Sequence, residues 1–136
     1  YIEENKDNLE EFLERFTGRL NDEQDAVLLR AAESLQRFDG VWLEDHEQWL
    51  NTLGPLLQRK PGWEDAVREA YANRTLRRSQ QYEELLEYNM NVVSQAIADV
   101  LNRLNDKQRK HLDDEIEDFR SLVQRLLEER ETPAYD

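Results

Sequence analysis

Two histidines, His46 and His111, are the side chains of this sequence best suited to metal binding or acid–base chemistry, since it contains no cysteine. His46 lies at helical spacing between Trp42 and Trp49, and three carboxylates lie within two positions of it. Side chains one or two positions apart on a helix do not face the same side, so these carboxylates do not converge on the ring. We therefore interpret His46 as a partly buried histidine, hydrogen-bonded across the helices. A pocket histidine at the centre of an enzymatic site is the alternative.

Metal and nucleophile motifs are missing from the sequence. Carboxylate-bridged metal bundles use Glu-x-x-His pairs, but the residues three before the histidines are Leu43 and Gln108. The acidic run at 113–118 spreads around a helix, which is typical of a solvated face and not of a calcium site. Glycine-rich phosphate loops and nucleophile elbows are also absent. We predict a protein that is not an enzyme and that has no cofactor and no metal.

The net charge restricts the kinds of molecule that this protein can bind. A formal net charge of −13 repels phosphate backbones and anionic lipid headgroups, so we expect no nucleic-acid partner. No apolar run is long enough to cross a bilayer, so we expect no membrane-spanning segment in this sequence. Two basic clusters interrupt the acidic background, and we interpret them as ion-paired surface, with a patch for an acidic partner as the alternative. They comprise Arg74, Arg77 and Arg78, and Arg103, Lys107, Arg109 and Lys110.

The elements that carry these residues are predicted to be helices throughout. Apolar residues recur every three or four positions, and Gly18, Pro55 and the turn at 60–62 mark boundaries. The spacing predicts a first helix ending at Thr17, one long helix over 22–53 with at most a bend near Gly40, a short helix over 63–73, a second long helix over 80–104 and a last helix to about residue 130. The fold class is therefore all-α. We expect an antiparallel bundle of about five helices, two of them long, in a single domain over 1–131, with a frayed tail at 132–136.

One six-residue motif occurs twice, as "RLNDEQ" at 19–24 and "RLNDKQ" at 103–108. An asparagine followed three residues later by a glutamine is a capping box, in which each side chain bonds the backbone N–H of the other residue. Both copies therefore predict a corner between two helices. The structural corner residues are Leu20, Asn21, Gln24, Leu104, Asn105 and Gln108.

Aromatic residues at helical spacing are interpreted as core. The alternative is a cleft for a hydrophobic or peptide ligand, formed by the candidate binding residues Trp42, His46, Trp49, Tyr82 and Asn89. Asn89 lies within an apolar stripe, where a lone amide fixes the register of neighbouring helices or bonds a loop such as Gly54-Pro55. We interpret Asn89 as a register residue.

Several segments together resemble the C-terminal half of a Gram-negative lipoprotein family known only as a domain of unknown function. They are "LERFTGRLNDEQ" (13–24), the pair Trp42 and Trp49, "QYEELLEYN" (81–89), and "LNRLNDKQRKHL" (101–112) with the later Asp118. The resemblance implies an all-helical, periplasm-facing domain, anchored in the membrane through a lipidated cysteine upstream of Tyr1.

The paired corners are also similar to a motif of the Spy and CpxP periplasmic chaperones, which has threonine at the positions of Asn21 and Asn105. From the resemblance we expect a non-catalytic interaction domain that binds another envelope protein. A holdase of the Spy kind, binding unfolded client proteins, is the alternative. The oligomeric state stays open at this stage.

Overall fold

The computed structural model describes residues 1–131, apart from the side chains of residues 77 and 131, and all of its regular structure is helical. The predicted frayed tail at 132–136 lies outside the described residues. The helices of the described part are α1 (Ile2–Thr17), α2 (Asp22–Ser34), α3 (Asp39–Leu56), α4 (Trp63–Ala72), α5 (Gln80–Asn102) and α6 (Asp106–Glu131), with one 3₁₀ turn at Thr75–Arg77. The all-α fold class predicted from the sequence is confirmed.

The chain divides into two compact units, with one boundary at the end of α2 and the other inside α5. The first unit comprises Tyr1–Ser34 and the described residues from Val93 onward, and in it α1 packs against both α2 and α6. Its interior consists mainly of small and aliphatic side chains at the helix interfaces. It also contains two buried glutamines. The buried residues of this unit are Leu13, Thr17, Gln24, Val27, Leu28, Ala31, Ala32, Ala96, Val100, Leu104 and Gln108.

The second unit, Leu35–Val92, contains α3, α4 and the first part of α5, with α3 packed on α4. Its buried residues among those described are Ala70 and Tyr82, and α3 has none. Aromatic contacts take the place of a deep aliphatic core. Trp49 meets Tyr71 edge to face with ring centroids 6.4 Å apart, and Phe38 meets Tyr82 in the same way at 4.8 Å.

The long helix predicted over 22–53 is wrong, because α2 ends at Ser34 and α3 begins at Asp39. The described part therefore has six helices, where the sequence predicts about five. The apolar spacing keeps its phase across the break, so periodicity alone did not reveal it. Asn89 stabilises the break, since its amide accepts a hydrogen bond from the Gln36 N–H (3.0 Å) and donates one to the Gln36 carbonyl (2.9 Å). These backbone groups would otherwise need helical partners.

The other predicted boundaries agree closely with the structure. Helix α1 ends at Thr17, where Gly18 at φ 72° donates its N–H to the Glu14 carbonyl (2.9 Å). Helix α3 ends at Leu56, one residue after Pro55, and α4 covers the predicted short helix. Ser79 accepts a hydrogen bond from the Tyr82 N–H (3.1 Å), as expected of a helix cap. None of the helices within residues 1–131 combines the length and apolar composition needed to cross a bilayer.

Candidate functional site

The first copy of the repeated motif forms the corner between α1 and α2. Asn21 Oδ1 accepts hydrogen bonds from the N–H groups of Glu23 (3.1 Å) and Gln24 (3.0 Å), and the Asn21 N–H donates to Gln24 Oε1 (2.9 Å). Glu14 accepts a further bond from the Leu20 N–H (3.0 Å). The reciprocal bonds are those of a capping box, so the predicted helix start is confirmed.

The second copy forms the corner between α5 and α6 with the same reciprocal pair of capping-box bonds. The Gln108 N–H donates to Asn105 Oδ1 (2.9 Å), and the Asn105 N–H donates to Gln108 Oε1 (3.1 Å). Leu104 is buried at this corner, whereas Leu20 at the first is half-buried. Each motif therefore connects two helices and caps the start of the second one, as the sequence predicts.

Tertiary structure brings the two corners together through their glutamines. Gln24 Nε2 donates to Gln108 Oε1, and Gln108 Nε2 donates to Gln24 Oε1, both over 2.9 Å. The second amide hydrogen of Gln24 goes to the Arg103 carbonyl (3.1 Å), and that of Gln108 goes to the Arg19 carbonyl (2.8 Å). The two corners are thus related by a local two-fold pattern of hydrogen bonds.

Each glutamine amide uses its full hydrogen-bonding capacity in this arrangement. Two hydrogens are donated and two bonds are accepted per amide, while Gln24 is 0% and Gln108 is 4% exposed. A buried amide left without partners costs about 1–3 kcal/mol, so complete pairing is what makes the burial tolerable. The chemistry of this cluster is structural, because neither amide is an acid, a base or a nucleophile at neutral pH.

An open groove of about 530 Å³ lies beside the paired corners in the first unit. Its lining is mainly polar and basic, formed by Thr17, Gly18, Arg19, Asn105, Lys107, Gln108, Lys110, His111 and Asp114. Lys110 Nζ lies 2.7 Å from Asp114 Oδ2, one helical turn further along α6. Hydrogen bonding to Asp114 raises the pKa of the Lys110 amine. The lining therefore carries positive charge, which suits a small anion.

A second ion pair in the first unit was missed by the sequence analysis. Lys6 Nζ on α1 contacts Asp25 Oδ1 on α2 (2.6 Å) and Glu10 Oε2 on its own helix (3.0 Å). The hydrogen bond to Asp25, and then that to Glu10, raises the pKa of the Lys6 amine well above its usual range. Helical spacing gives Glu10, but Asp25 becomes a neighbour only once α1 and α2 pack together.

The candidate binding residues of the second unit have separate partners. Trp42 and His46 stack with centroids 5.0 Å apart and an interplanar angle of 9°. Trp49 lies beneath the Arg74 guanidinium at 5.1 Å and Tyr82 beneath that of Arg78 at 4.7 Å.

Among these five candidates, the structure therefore brings together Trp42 and His46. Asn89 bonds the backbone at Gln36, and not the loop at Gly54-Pro55. Trp49 lines a small cavity of about 70 Å³ with Asp45, Gln48, Thr52 and Arg74. This volume holds a few water molecules and no peptide side chain of any size.

Metal-ligand geometry is also absent from the described residues, among which no group of three or more histidine, aspartate or glutamate side chains is arranged to hold an ion. The acidic run that begins at Asp113 is exposed or half-buried along α6. His111 contacts Glu115 at 3.9 Å across one helical turn. That pair is a local surface contact.

Fold and corners together define the class of this protein as an all-α protein with two helical units and a buried, hydrogen-bonded glutamine pair between two helix corners of one unit. Compared with models of protein families, with curated proteins and with solved structures, the chain has no match. The site must therefore be interpreted from its own geometry.

Proposed function

We propose that this chain is a non-catalytic protein-interaction domain that uses one exposed apolar surface of α6. The observation that supports this proposal is the exposure of six large apolar side chains between residues 116 and 127 of that helix. We call them the α6 face: Ile116 (55% exposed), Phe119 (68%), Leu122 (44%), Val123 (38%), Leu126 (56%) and Leu127 (55%).

A contiguous apolar surface exposed to water is unfavourable and is rare in monomeric proteins, whereas scattered single exposed leucines are common. Apolar surface gains roughly 25 cal/mol for each Å² removed from water, so six adjacent large side chains favour association with another apolar surface. Their spacing along one helix is that of the anchors of a helix that binds in a groove or against another helix. A protein helix is therefore the partner surface that the α6 face fits best.

Envelope placement of this domain is supported by the sequence resemblance to the Gram-negative lipoprotein family. In this proposal the domain faces the periplasm and is anchored through an upstream lipidated cysteine. Its partner is then another envelope protein, held at a membrane surface where both are concentrated. The net charge of −13 disfavours direct contact with anionic headgroups, which leaves a protein as the partner.

Capture from a Gram-negative envelope extract tests the proposal. The immobilised chain is compared with Phe119→Ser, which shortens the α6 face, and with Asp118→Ser, which changes the neighbouring exposed residue. Both positions are exposed, so neither substitution disturbs the fold. We expect one protein at fixed stoichiometry with the unaltered chain and with Asp118→Ser, and its loss with Phe119→Ser. Equal recovery by all three would contradict the proposal.

A holdase of the Spy kind is the second candidate, and the exposed aromatic pair of α1 favours it. Phe12 (48% exposed) and Phe16 (41%) meet edge to face at 5.4 Å, which gives the first unit additional apolar surface. Holdases bind many unfolded chains through such surface. The discriminating measurement is light scattering from several chemically unfolded enzymes diluted into the protein. Suppression of aggregation for all of them, with no single captured partner, would favour the holdase over the interaction domain.

A further inference from the structure

Exposure along α6 changes sharply with position. Gln108 is buried at the paired corners and Leu112 is half-buried, whereas every residue from Ile116 to Arg130 is exposed. About 15 residues of helix, or roughly 22 Å, thus extend with water around them. A helix of this length is marginal on its own in water, so packing of its apolar face would add substantially to its stability.

The apolar residues of α6 follow a strict seven-residue repeat. Leu112, Ile116, Phe119, Val123 and Leu126 are spaced 4, 3, 4 and 3 apart. This spacing averages 3.5 residues and is the coiled-coil period, in which one seam faces a partner helix along its whole length. The β-branched residues Ile116 and Val123 occupy the first core position of each heptad, and Leu112, Phe119 and Leu126 occupy the second. That distribution favours two parallel strands.

The positions that flank the seam are complementary between two copies of this same helix. In a parallel, in-register pair, the residue before each first core position lies beside the residue five positions later on the other helix. Glu115 then lies beside Arg120 of the second copy, and Leu122 lies beside Leu127 of the second copy. Each relationship occurs twice because the pair is symmetric. The first is an ion pair and the second widens the apolar seam.

The antiparallel alternative lacks this complementarity. With the core residues aligned in opposite directions, Arg120 lies beside Arg120 of the second copy, and Glu115 lies beside Glu129 of the second copy. Like charges across the seam are unfavourable, whereas the parallel arrangement pairs opposite charges. The within-helix contact of Arg120 with Glu117 is long, at 3.9 Å, and exposed, so it does not hold Arg120 away from the seam.

We propose that the α6 face binds a second copy of this chain, as a parallel, in-register two-stranded coiled coil over 112–127. The inference rests on the proposed function, and it takes a second copy of this chain as the envelope protein that the α6 face binds. With about two heptads available and a net charge of −13 on each copy, the pair is a concentration-dependent equilibrium and not an obligate dimer. Salt at about 0.15 M screens the long-range repulsion enough for the seam to form.

The absence of native cysteine makes the geometry directly testable. Leu126→Cys places one thiol at the core of the seam, where two copies bring the same residue within disulfide distance only if they are parallel and in register. Ser121→Cys is the matched control, because residue 121 points away from the seam on the same helix. Under mild oxidation we expect Leu126→Cys to form covalent dimer at least about tenfold faster than Ser121→Cys. Equal rates would overturn the proposal.

Charge reversal tests the register independently. Glu115→Arg sets arginine beside Arg120 of the second copy, so we expect about tenfold weaker association by sedimentation equilibrium. Arg120→Glu is expected to weaken association by the same amount. The double variant Glu115→Arg with Arg120→Glu is expected to restore association. Asp118→Arg makes an identical charge change off the seam and leaves association within about threefold. A double variant no better than either single variant would overturn the arrangement, as would a mass greater than two chains.

Failure of this inference and failure of the proposed function are distinguishable. If the unaltered chain stays monomeric at all concentrations while Phe119→Ser still abolishes capture from extract, self-association is overturned and the interaction domain stands with a different partner. If the chain is monomeric and Phe119→Ser captures as well as the unaltered chain, both are overturned. Circular dichroism of each variant, matched to that of the unaltered chain, confirms that the helices are intact.

Discussion

Gln24 and Gln108, 84 positions apart in the chain, donate hydrogen bonds to one another, with 2.9 Å between each amide nitrogen and the amide oxygen of the other residue. Each of the two also caps its own helix and bonds the backbone of the opposite corner. The repeated motif is thereby explained: the same corner occurs twice because each copy completes the other. Arg19 and Arg103, the first residue of each copy, take part through their backbone carbonyls, each of which accepts a hydrogen bond from the glutamine of the other copy.

Removal of one glutamine is expected to destabilise the first unit strongly. Gln24→Ala removes two of the four hydrogen bonds of the buried Gln108 amide and the side-chain donor to the Arg103 carbonyl, so we expect the free energy of unfolding to fall by about 2–4 kcal/mol. Gln108→Ala should cost a similar amount. The measurement is urea denaturation followed by circular dichroism. Gln95→Ala, an exposed glutamine on α5, is the control and should change stability by less than about 0.5 kcal/mol.

The double variant Gln24→Ala with Gln108→Ala provides the sharper measurement. Because the second substitution removes a group already left unpaired by the first, the two costs should not add, and the shortfall should be about 1–3 kcal/mol. Additive costs would show that the two amides stabilise the corners independently, which contradicts the paired geometry.

Asn89 is expected to stabilise the break between α2 and α3. Asn89→Ala removes both hydrogen bonds to the Gln36 backbone, which is partly exposed, so we expect a loss of about 1 kcal/mol and faster hydrogen exchange at the Gln36 amide. Asn91→Ala, two positions away and exposed, should change neither quantity. If exchange at Gln36 is unchanged in Asn89→Ala, the side chain does not hold the break.

The ion pair between Lys6 and Asp25 predicts a pH dependence with a definite sign. The folded-state pKa of Lys6 is raised above its ordinary value of 10.5, so the stabilisation is present below about that pH and is lost as the pH rises further. We expect Lys6→Met to be less stable than the unaltered chain by about 0.5–1 kcal/mol near pH 8, and the difference to shrink by about pH 11.

Other groups titrate in the same alkaline range, so the informative quantity is the difference between the two proteins at each pH. Arg15→Met is the matched control, because its pair with Glu11 is within one helix and exposed on both sides. A difference for Lys6→Met that grows with pH would contradict the assignment.

Two glycines should respond oppositely to alanine. Gly18 has φ 72° and ψ −172°, a combination open almost only to glycine, so Gly18→Ala should cost about 1–3 kcal/mol by strain although the nearest atom to its new Cβ, on His111, is 3.9 Å away. Gly40 lies in the first turn of α3 with open space around it, so Gly40→Ala should stabilise by up to about 0.5 kcal/mol. Thermal unfolding of the two variants checks the signs.

Local chemistry explains why so much of the fold could be predicted. The apolar spacing, the capping boxes and the stops at Gly18 and Pro55 act over a few residues, and they placed α1, α4, α5 and α6 to within a few positions. The break at 35–38 could not be found in this way, because the apolar stripe stays in phase across it. The break is stabilised by Asn89, 53 positions later in the chain. The expectation of a single domain over 1–131 stays a prediction.

Sequence alone determined the all-α class, the two capped corners and the acidic surface, because helix periodicity, capping and charge depend on near neighbours in the chain. Only the tertiary structure decided that the two glutamines bond each other, that Lys6 meets Asp25 and that the apolar seam of α6 is exposed. These are relationships between distant residues, and each depends on which helix faces are covered after packing. An apolar stripe predicts that a surface will be buried, but the covering element is decided by the packing of the chain or by a second molecule.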